Sequence, residues 1–278
     1  MSPSWHWDPT LFEGTAEYYT QGRVPYSSAL TEGVRVALSL DGRGRLIDVG
    51  CGPGMLALAL APLFEEVVGI DPDQAMIAEA EVEAATSGIT RAWFLPLRAE
   101  DLSAGLGTFR VATFGQSFHW MEREQVAATI FAMLEPGGAF LLVNQETRAN
   151  GVTPTATPQP PYERIKTLVR QHLGAVRRAG QGFLPQGTPD KEGPVIEAAG
   201  FGPERLVRLP GGAPLERRAD DLVAWVLSRS DSAPHLFGEQ LPIFRRDLEQ
   251  LLAEESPEGV FTESEPDTVL RFWIKPQT

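Results

Sequence analysis

The chain holds one cysteine, Cys51, among 278 residues. It therefore has neither an internal disulfide framework nor a cysteine-based zinc site. Histidine is also scarce: His6, His119, His172 and His235 stand at no ligand spacing from one another, and no metal is expected. No apolar run approaches the roughly 18 residues of a membrane span, and no basic segment near the start leads into an apolar one as in a secretory leader. These absences point to a cytoplasmic protein with no membrane partner. Basic residues are in deficit, 24 against 37 acidic for a net charge of −13, which disfavours a nucleic-acid substrate. The densest basic pairs, Arg177-Arg178 and Arg217-Arg218, have the spacing of solvated surface charge. Internal repeats and low-complexity tracts are missing too.

What is present is ample apolar material, 42% of residues, enough for a sizeable core. The rest of the chain is organised around one stretch. Residues 45–49 form an apolar strand that runs into Gly50-Cys51-Gly52-Pro53-Gly54 and then into a helix-like run over 55–64. An open α/β sheet builds a ligand site in that order, at the carboxyl end of a strand. A dinucleotide fingerprint needs G-x-G-x-x-G, whereas Met55 occupies the place of the third glycine. Asp48 separates the readings further, because a carboxylate two residues before the first glycine repels a pyrophosphate and attracts an ammonium group. Cys51 reads as a small residue filling a tight loop, with no base beside it to make it a nucleophile.

The stretch Asp48-Val49-Gly50-Cys51-Gly52-Pro53-Gly54 resembles the first motif of class I S-adenosylmethionine-dependent methyltransferases, of the small-molecule, type 11-like kind. The resemblance implies that Asp48, Gly50, Cys51, Gly52 and Gly54 lie around the methionine part of S-adenosyl-L-methionine. Residues 66–71 read as a second buried strand ending in Asp71, 21 positions after Gly50, where a carboxylate accepts from both ribose hydroxyls. Asp71 alone does not separate this cofactor from a dinucleotide. Asp73 is placed to cap the next helix, with Met76, Ile77, Ala80 and Ala84 at helical spacing. The resemblance adds Pro72 and Met76 as cofactor contacts.

A third strand over 93–95 leads to Arg98-Ala99-Glu100-Asp101. In the family this point meets the adenine, which implies roles for Ala99 and Glu100 with Asp101 as a rival, although Arg98 stands where many relatives carry an acid. A fourth strand, 109–116, brings Gln116 and Ser117 to the same crevice. The following His119-Trp120 is similar to a dipeptide found there in many small-molecule methyltransferases. An imidazole in that place can take a proton from a hydroxyl or amine, or simply bond a backbone group, and Trp120 can wall in a substrate or pack a helix. A helix with Val126, Ile130, Met133 and Leu134 on one face follows, then Glu135-Pro136-Gly137-Gly138 and a strand over 139–143, a further family hallmark.

The N-terminal segment from Ala16 to Tyr26 resembles a family stretch whose tyrosines and arginine fold over the cofactor. It makes Tyr18, Tyr19 and Arg23 candidate substrate residues, with core packing as the alternative. The aromatic opening Ser4-Trp5-His6-Trp7 is expected to dock on the body of the protein or the site's mouth. Past residue 144, 151–161 is proline-rich and 179–194 irregular. Strands are expected over 205–209 and 268–275, with helices near 222–227 and 241–252 between them.

The expectation is a single domain over 1–278 with a Rossmann-like, seven-stranded, mostly parallel, doubly wound sheet. It comprises an N-terminal segment and approach helix (1–44), a cofactor core (45–145), helical caps (151–190 and 214–262) and last strands (200–210 and 267–275). The function expected is methyl transfer to a small molecule, O-methylation favoured, by a monomer or homodimer. An NAD(P)-dependent oxidoreductase and a non-catalytic cofactor-binding module are the alternatives.

Overall fold

The structure is a computed structural model that describes residues 8–146, 157–174, 178–179, 182–183 and 192–277. The aromatic opening at 4–7, the stretch 151–156 of the proline-rich segment and most of 179–191 lie outside the described residues. The chain divides into two compact units, Tyr26–Glu146 with Pro189–Pro210 and Asp267–Thr278, and Met1–Pro25 with Thr147–Thr188 and Gly211–Pro266.

The first unit is a seven-stranded sheet: β1 Arg45–Val49, β2 Glu66–Asp71, β3 Ala92–Pro96, β4 Phe109–Gly115, β5 Leu134–Glu146, β6 Arg205–Leu209 and β7 Asp267–Ile274. Their order is β3-β2-β1-β4-β5-β7-β6. β1 pairs in parallel with β2 and β4, β2 with β3 and β4 with β5, while β7 runs antiparallel to both β5 and β6. The two faces are separate cores. On one, Leu46, Val67 and Phe94 pack with Leu60, Ile77 and Ala80; on the other, Ile47, Ile70 and Phe114 pack with Val126, Ile130 and Trp273. A sheet with apolar side chains on both faces needs helices on both, which is the doubly wound arrangement. The parallel register places the carboxyl ends of β1 to β5 along one edge.

Local sequence sets the element ends. The Asp73 carboxylate caps the helix Gln74–Thr86, accepting from the Ala75 and Met76 amides at 2.8 and 3.3 Å. β5 begins earlier than the expected 139, at Leu134. Its register on β4 breaks between Phe109 and Val111, and Gly137 has φ +80°, so the Pro-Gly-Gly step is an irregularity inside the strand and not a turn before it.

The second unit is mainly helical. Helices Ala16–Gly22, Tyr162–Leu173, Ala219–Leu227 and Leu241–Glu255 accompany an antiparallel ribbon of Pro214–Arg218 with Val260–Ser264. Its core includes Ile165, Leu222, Val226, Phe244, Leu248 and Phe261. A Cβ added at Gly22 would lie 2.4 Å from the Ala224 carbonyl carbon, so this glycine is what lets the first helix cross Ala219–Leu227 so closely. The Arg217 guanidinium, 4% exposed as a residue, binds Glu263 at 2.8 Å and the Gly22 and Asp221 carbonyls at 2.8 and 3.2 Å. The Tyr162 hydroxyl donates to the other Glu263 oxygen at 2.6 Å. Each buried charge here has a partner. Among the described residues, no helix is long and apolar enough to cross a membrane.

Candidate functional site

The loops that leave β1, β2, β3 and β4 are bolted together at the carboxyl edge of the sheet. Gly50, Gly52 and Gly54 all have positive φ, +69°, +53° and +80°, the conformation that L side chains disfavour. The Gly50 and Cys51 amides donate to the Ile70 carbonyl at the end of β2, at 2.8 and 2.9 Å. The Gly52 amide donates to Asp71 Oδ2 at 2.9 Å and the Asp73 amide to Oδ1 at 3.0 Å. The Ser117 hydroxyl donates to the Val49 carbonyl at 2.5 Å, which locks the loop after β4 to the end of β1. The loop after β3 is held similarly. Glu100 Oε1 accepts from the Glu122 amide at 3.0 Å and its carbonyl from Gln125 Nε2 at 2.8 Å.

Asp48 sits beneath this platform with 1% of its surface exposed. One oxygen accepts from the Thr113 hydroxyl at 2.8 Å; the other, Oδ2, has no hydrogen-bond partner among the described residues. An unpartnered buried carboxylate oxygen is costly. Burial accordingly pushes the pKa of Asp48 up to about 7, against the Thr113 bond and the nearby Ala57 amide and with help from the charge of Asp71. Burial likewise raises Asp71 to about 6, although the Asp73 and Gly52 amides favour its charged form. Cys51 lies in the same environment. Burial first, then the charges of Asp71 and Asp48, raise its thiol well above the ordinary value, which disfavours the thiolate.

The fold thus brings Asp48, Gly50, Cys51, Gly52, Gly54, Asp71, Gln116 and Ser117 together at the carboxyl ends of β1, β2 and β4. Pro72 follows Asp71, and Met76 is buried in the first turn of the capped helix. Ala99, Glu100 and Asp101 form a 3₁₀ turn in which Ala99 is buried and Asp101 exposed. The Glu100 carboxylate also meets Arg98, at 3.3 Å. Each of its oxygens thus holds one protein group, whereas the Asp101 side chain is exposed. His119 and Trp120 follow β4 in a short 3₁₀ turn with ring centroids 4.6 Å apart. Burial, and secondarily Arg123, lowers the His119 pKa to about 4, so its ring is neutral at physiological pH. Tyr18, Tyr19 and Arg23 belong to the helical unit. There Arg23 lies over the Tyr19 ring at 4.6 Å and donates to the Ser228 carbonyl at 2.8 Å, while Tyr18 packs on the helical core.

Two features were not singled out from sequence. Thr113, the partner of Asp48, stands opposite it in the β1–β4 register, and a buried threonine in the otherwise apolar run 111–114 was the available signal. Gln116 has φ +56°. A glutamine in this region carries backbone strain, which concentrates at functional sites, and no sequence pattern announces it.

The cation-seeking chemistry of Asp48 has a pH signature. Its folded pKa lies above the ordinary 3.8, so the folded state holds the proton where the unfolded chain has lost it. The contribution of Asp48 to the stability of the ligand-free protein is then fully present below about pH 4 and is lost as pH rises through about 7. A cationic ligand reverses the preference. Affinity for such a ligand is expected to rise about 10-fold between pH 6 and 8, with proton release near pH 6.5. Calorimetry in two buffers of different ionisation enthalpy measures that release, and Asp48→Asn is expected to flatten both effects.

Comparison with known proteins gives the site its context. Residues 46–138 match the family described as "Methyltransferase domain". The chain is 31% identical over 100 residues to the probable S-adenosylmethionine-dependent methyltransferase CRG1 of Saccharomyces cerevisiae, covering 35% of this chain and 34% of that one. It is 29% identical over 206 residues to the S-adenosyl-L-methionine-dependent Diels-Alderase iccD of Talaromyces variabilis, covering 69% and 67%. The chain thus spans about a third of the one relative and two thirds of the other. Among solved structures, a putative methyltransferase from Bacillus halodurans superposes with a TM-score of 0.52 at 16% identity, over 90% of this chain and 100% of that one, a likeness of fold.

Proposed function

We propose that the chain, whose residues 46–138 match a methyltransferase domain, is a class I S-adenosylmethionine-dependent methyltransferase that methylates a small-molecule acceptor at the oxygen of a hydroxyl or carboxylate. The observation that carries this reading is Asp48: a buried carboxylate with one unpartnered oxygen under a glycine loop, suited to a ligand with a cationic end and ill suited to a pyrophosphate. S-adenosyl-L-methionine supplies an electrophilic methyl on its sulfonium and leaves as S-adenosyl-L-homocysteine.

The residues divide the work. Asp48 faces the cationic end, and Gly50, Cys51, Gly52 and Gly54 admit it close to the backbone. Asp71 takes the ribose hydroxyls while its oxygens brace the Gly52 and Asp73 amides. Pro72 and Met76 support that side. The 3₁₀ turn at Ala99, Glu100 and Asp101 takes the adenine, with Glu100 fixing the turn and Asp101 supplying the open carboxylate. Gln116 and Ser117 close the crevice from the β4 side. Because the reaction is a displacement, holding the acceptor in line and excluding water supply most of the rate. Trp120 walls the acceptor and His119 accepts its proton. A base of pKa about 4 suffices for a hydroxyl, because attack on the methyl makes that proton strongly acidic before it leaves.

Turnover is tested by incubating the protein with S-adenosyl-L-methionine and a panel of small hydroxylated and carboxylic compounds, following S-adenosyl-L-homocysteine. With a hydroxyl acceptor, His119→Gln is expected to lower kcat about 100-fold with little change in KM. The wild-type rate should not depend on this group between about pH 5.5 and 8.5, because the ring stays neutral there. A kcat unmoved by the substitution removes His119 from the chemistry. The likeness to iccD, whose name describes a cofactor-dependent Diels-Alderase, supports a second reading, in which the cofactor is bound and no methyl moves. Cofactor binding with no S-adenosyl-L-homocysteine formed across the panel favours it.

A further inference from the structure

The helical unit contains an open cleft beside the helix Tyr162–Leu173, with about 460 Å³ of empty space when the solvent at its mouth is counted. Its inner wall is apolar: Ile165 and Val226 are each 1% exposed, and Val169 lies alongside them. Its rim is cationic, with Lys166, Arg170 and Arg229 against a single lining carboxylate, Asp231. In a chain of net charge −13, that cluster runs against the trend. Two of the three cations are already engaged. Arg229 binds both Asp231 oxygens, at 2.9 and 3.0 Å, and Lys166 binds Glu163 at 2.6 Å. The Arg170 side chain is exposed and makes no hydrogen bond or ion pair with any described residue, its charge reaching Glu163 only from a distance. Three cations less Asp231 and Glu163 leave one positive charge, and Arg170 is the group that carries it.

We propose that this cleft binds a small carboxylate borne on an apolar body. The carboxylate meets the Arg170 guanidinium, whose planar fork suits two carboxylate oxygens. The apolar body lies against Ile165, Val169 and Val226, where leaving water is favourable. The cleft belongs to the helical unit alone. Its occupation depends on no assignment made for the cofactor loop and stands or falls separately from methyl transfer.

Octanoate is the probe, titrated into the full chain by calorimetry beside 1-octanol and octylamine, which share its body and lack its charge. Octanoate is expected to bind one to one, at least about 10-fold tighter than either control, since a hydrogen-bonded charge is worth that much or more. Arg170→Gln should weaken it about 10-fold and Val169→Trp, which fills the cleft, should abolish it. The exposed Arg246→Gln, which makes the same change in net charge, should leave it unaltered. Melting curves of each variant establish that the fold is retained. Absence of octanoate binding, equal binding of 1-octanol, or an undiminished affinity in Arg170→Gln would each overturn the proposal.

Discussion

Gly50→Ala is expected to weaken S-adenosyl-L-methionine binding more than about 100-fold while lowering stability by only about 1–3 kcal/mol. Gly50 has φ +69°, where an L side chain costs roughly 1–2 kcal/mol. The added Cβ would lie 2.7 Å from Ser117 Cβ and 3.1 Å from Met121 Cε. Ser117 cannot retreat without giving up its 2.5 Å bond to the Val49 carbonyl. Relief therefore comes from the loop itself, which shifts away from the position that the cofactor needs. Calorimetry gives the affinity and a melting curve the stability. An affinity within about 3-fold of wild type would mean that the ligand does not touch this loop.

Asp71→Ala is expected to cost about 100- to 1000-fold in cofactor affinity, because two hydrogen bonds to a charged acceptor are worth roughly 1.5–3 kcal/mol each. The substitution also frees the Gly52 and Asp73 amides that the carboxylate now holds at 2.9 and 3.0 Å. Asp71→Asn separates the two contributions, since it keeps one acceptor and loses the charge, and it should cost about half or more of the Ala effect in energy. Stability should respond the other way. Because burial raises the folded pKa to about 6, the ionised group destabilises the ligand-free protein above that pH, and its removal should leave the melting temperature at pH 8 within a few degrees of wild type or above it. A collapse of the fold in Asp71→Ala would mark the residue as a structural brace first.

The parts of the molecule that are legible in sequence are those where one local signal has one physical meaning. The end of β2 at Asp71, the cap at Asp73 and the glycine loop follow from apolar periodicity and the special conformations of glycine, and the structure has them where the pattern put them. The antiparallel last strand also stands at the expected place, Asp267–Ile274. What sequence does not show is which of several possible partners a polar group takes. Glu100 reads as an acid at an adenine contact. Its carboxylate is in fact turned to the Glu122 amide, a group 22 residues away whose availability depends on where the next helix starts. The ribbon of Pro214–Arg218 with Val260–Ser264 was hidden for a similar reason. Leu215-Glu216-Arg217-Arg218 has little apolar alternation, and what holds its buried arginine is Glu263, distant in sequence. The left-handed Gln116 was hidden as well, because glutamine has no preference for that conformation, and it stands beside Ser117, whose hydroxyl is tied to the Val49 carbonyl.

The most direct test of the account is calorimetric titration at pH 8 of the wild-type chain with S-adenosyl-L-methionine, S-adenosyl-L-homocysteine and NADH. At that pH both buried aspartates are ionised or nearly so. The account expects one-to-one binding of the first two, with S-adenosyl-L-methionine, which adds the sulfonium charge, losing more affinity than S-adenosyl-L-homocysteine when the pH is lowered to 6. It expects no binding of NADH, whose pyrophosphate would lie over Asp48. Binding of NADH with none of S-adenosyl-L-methionine would contradict it outright.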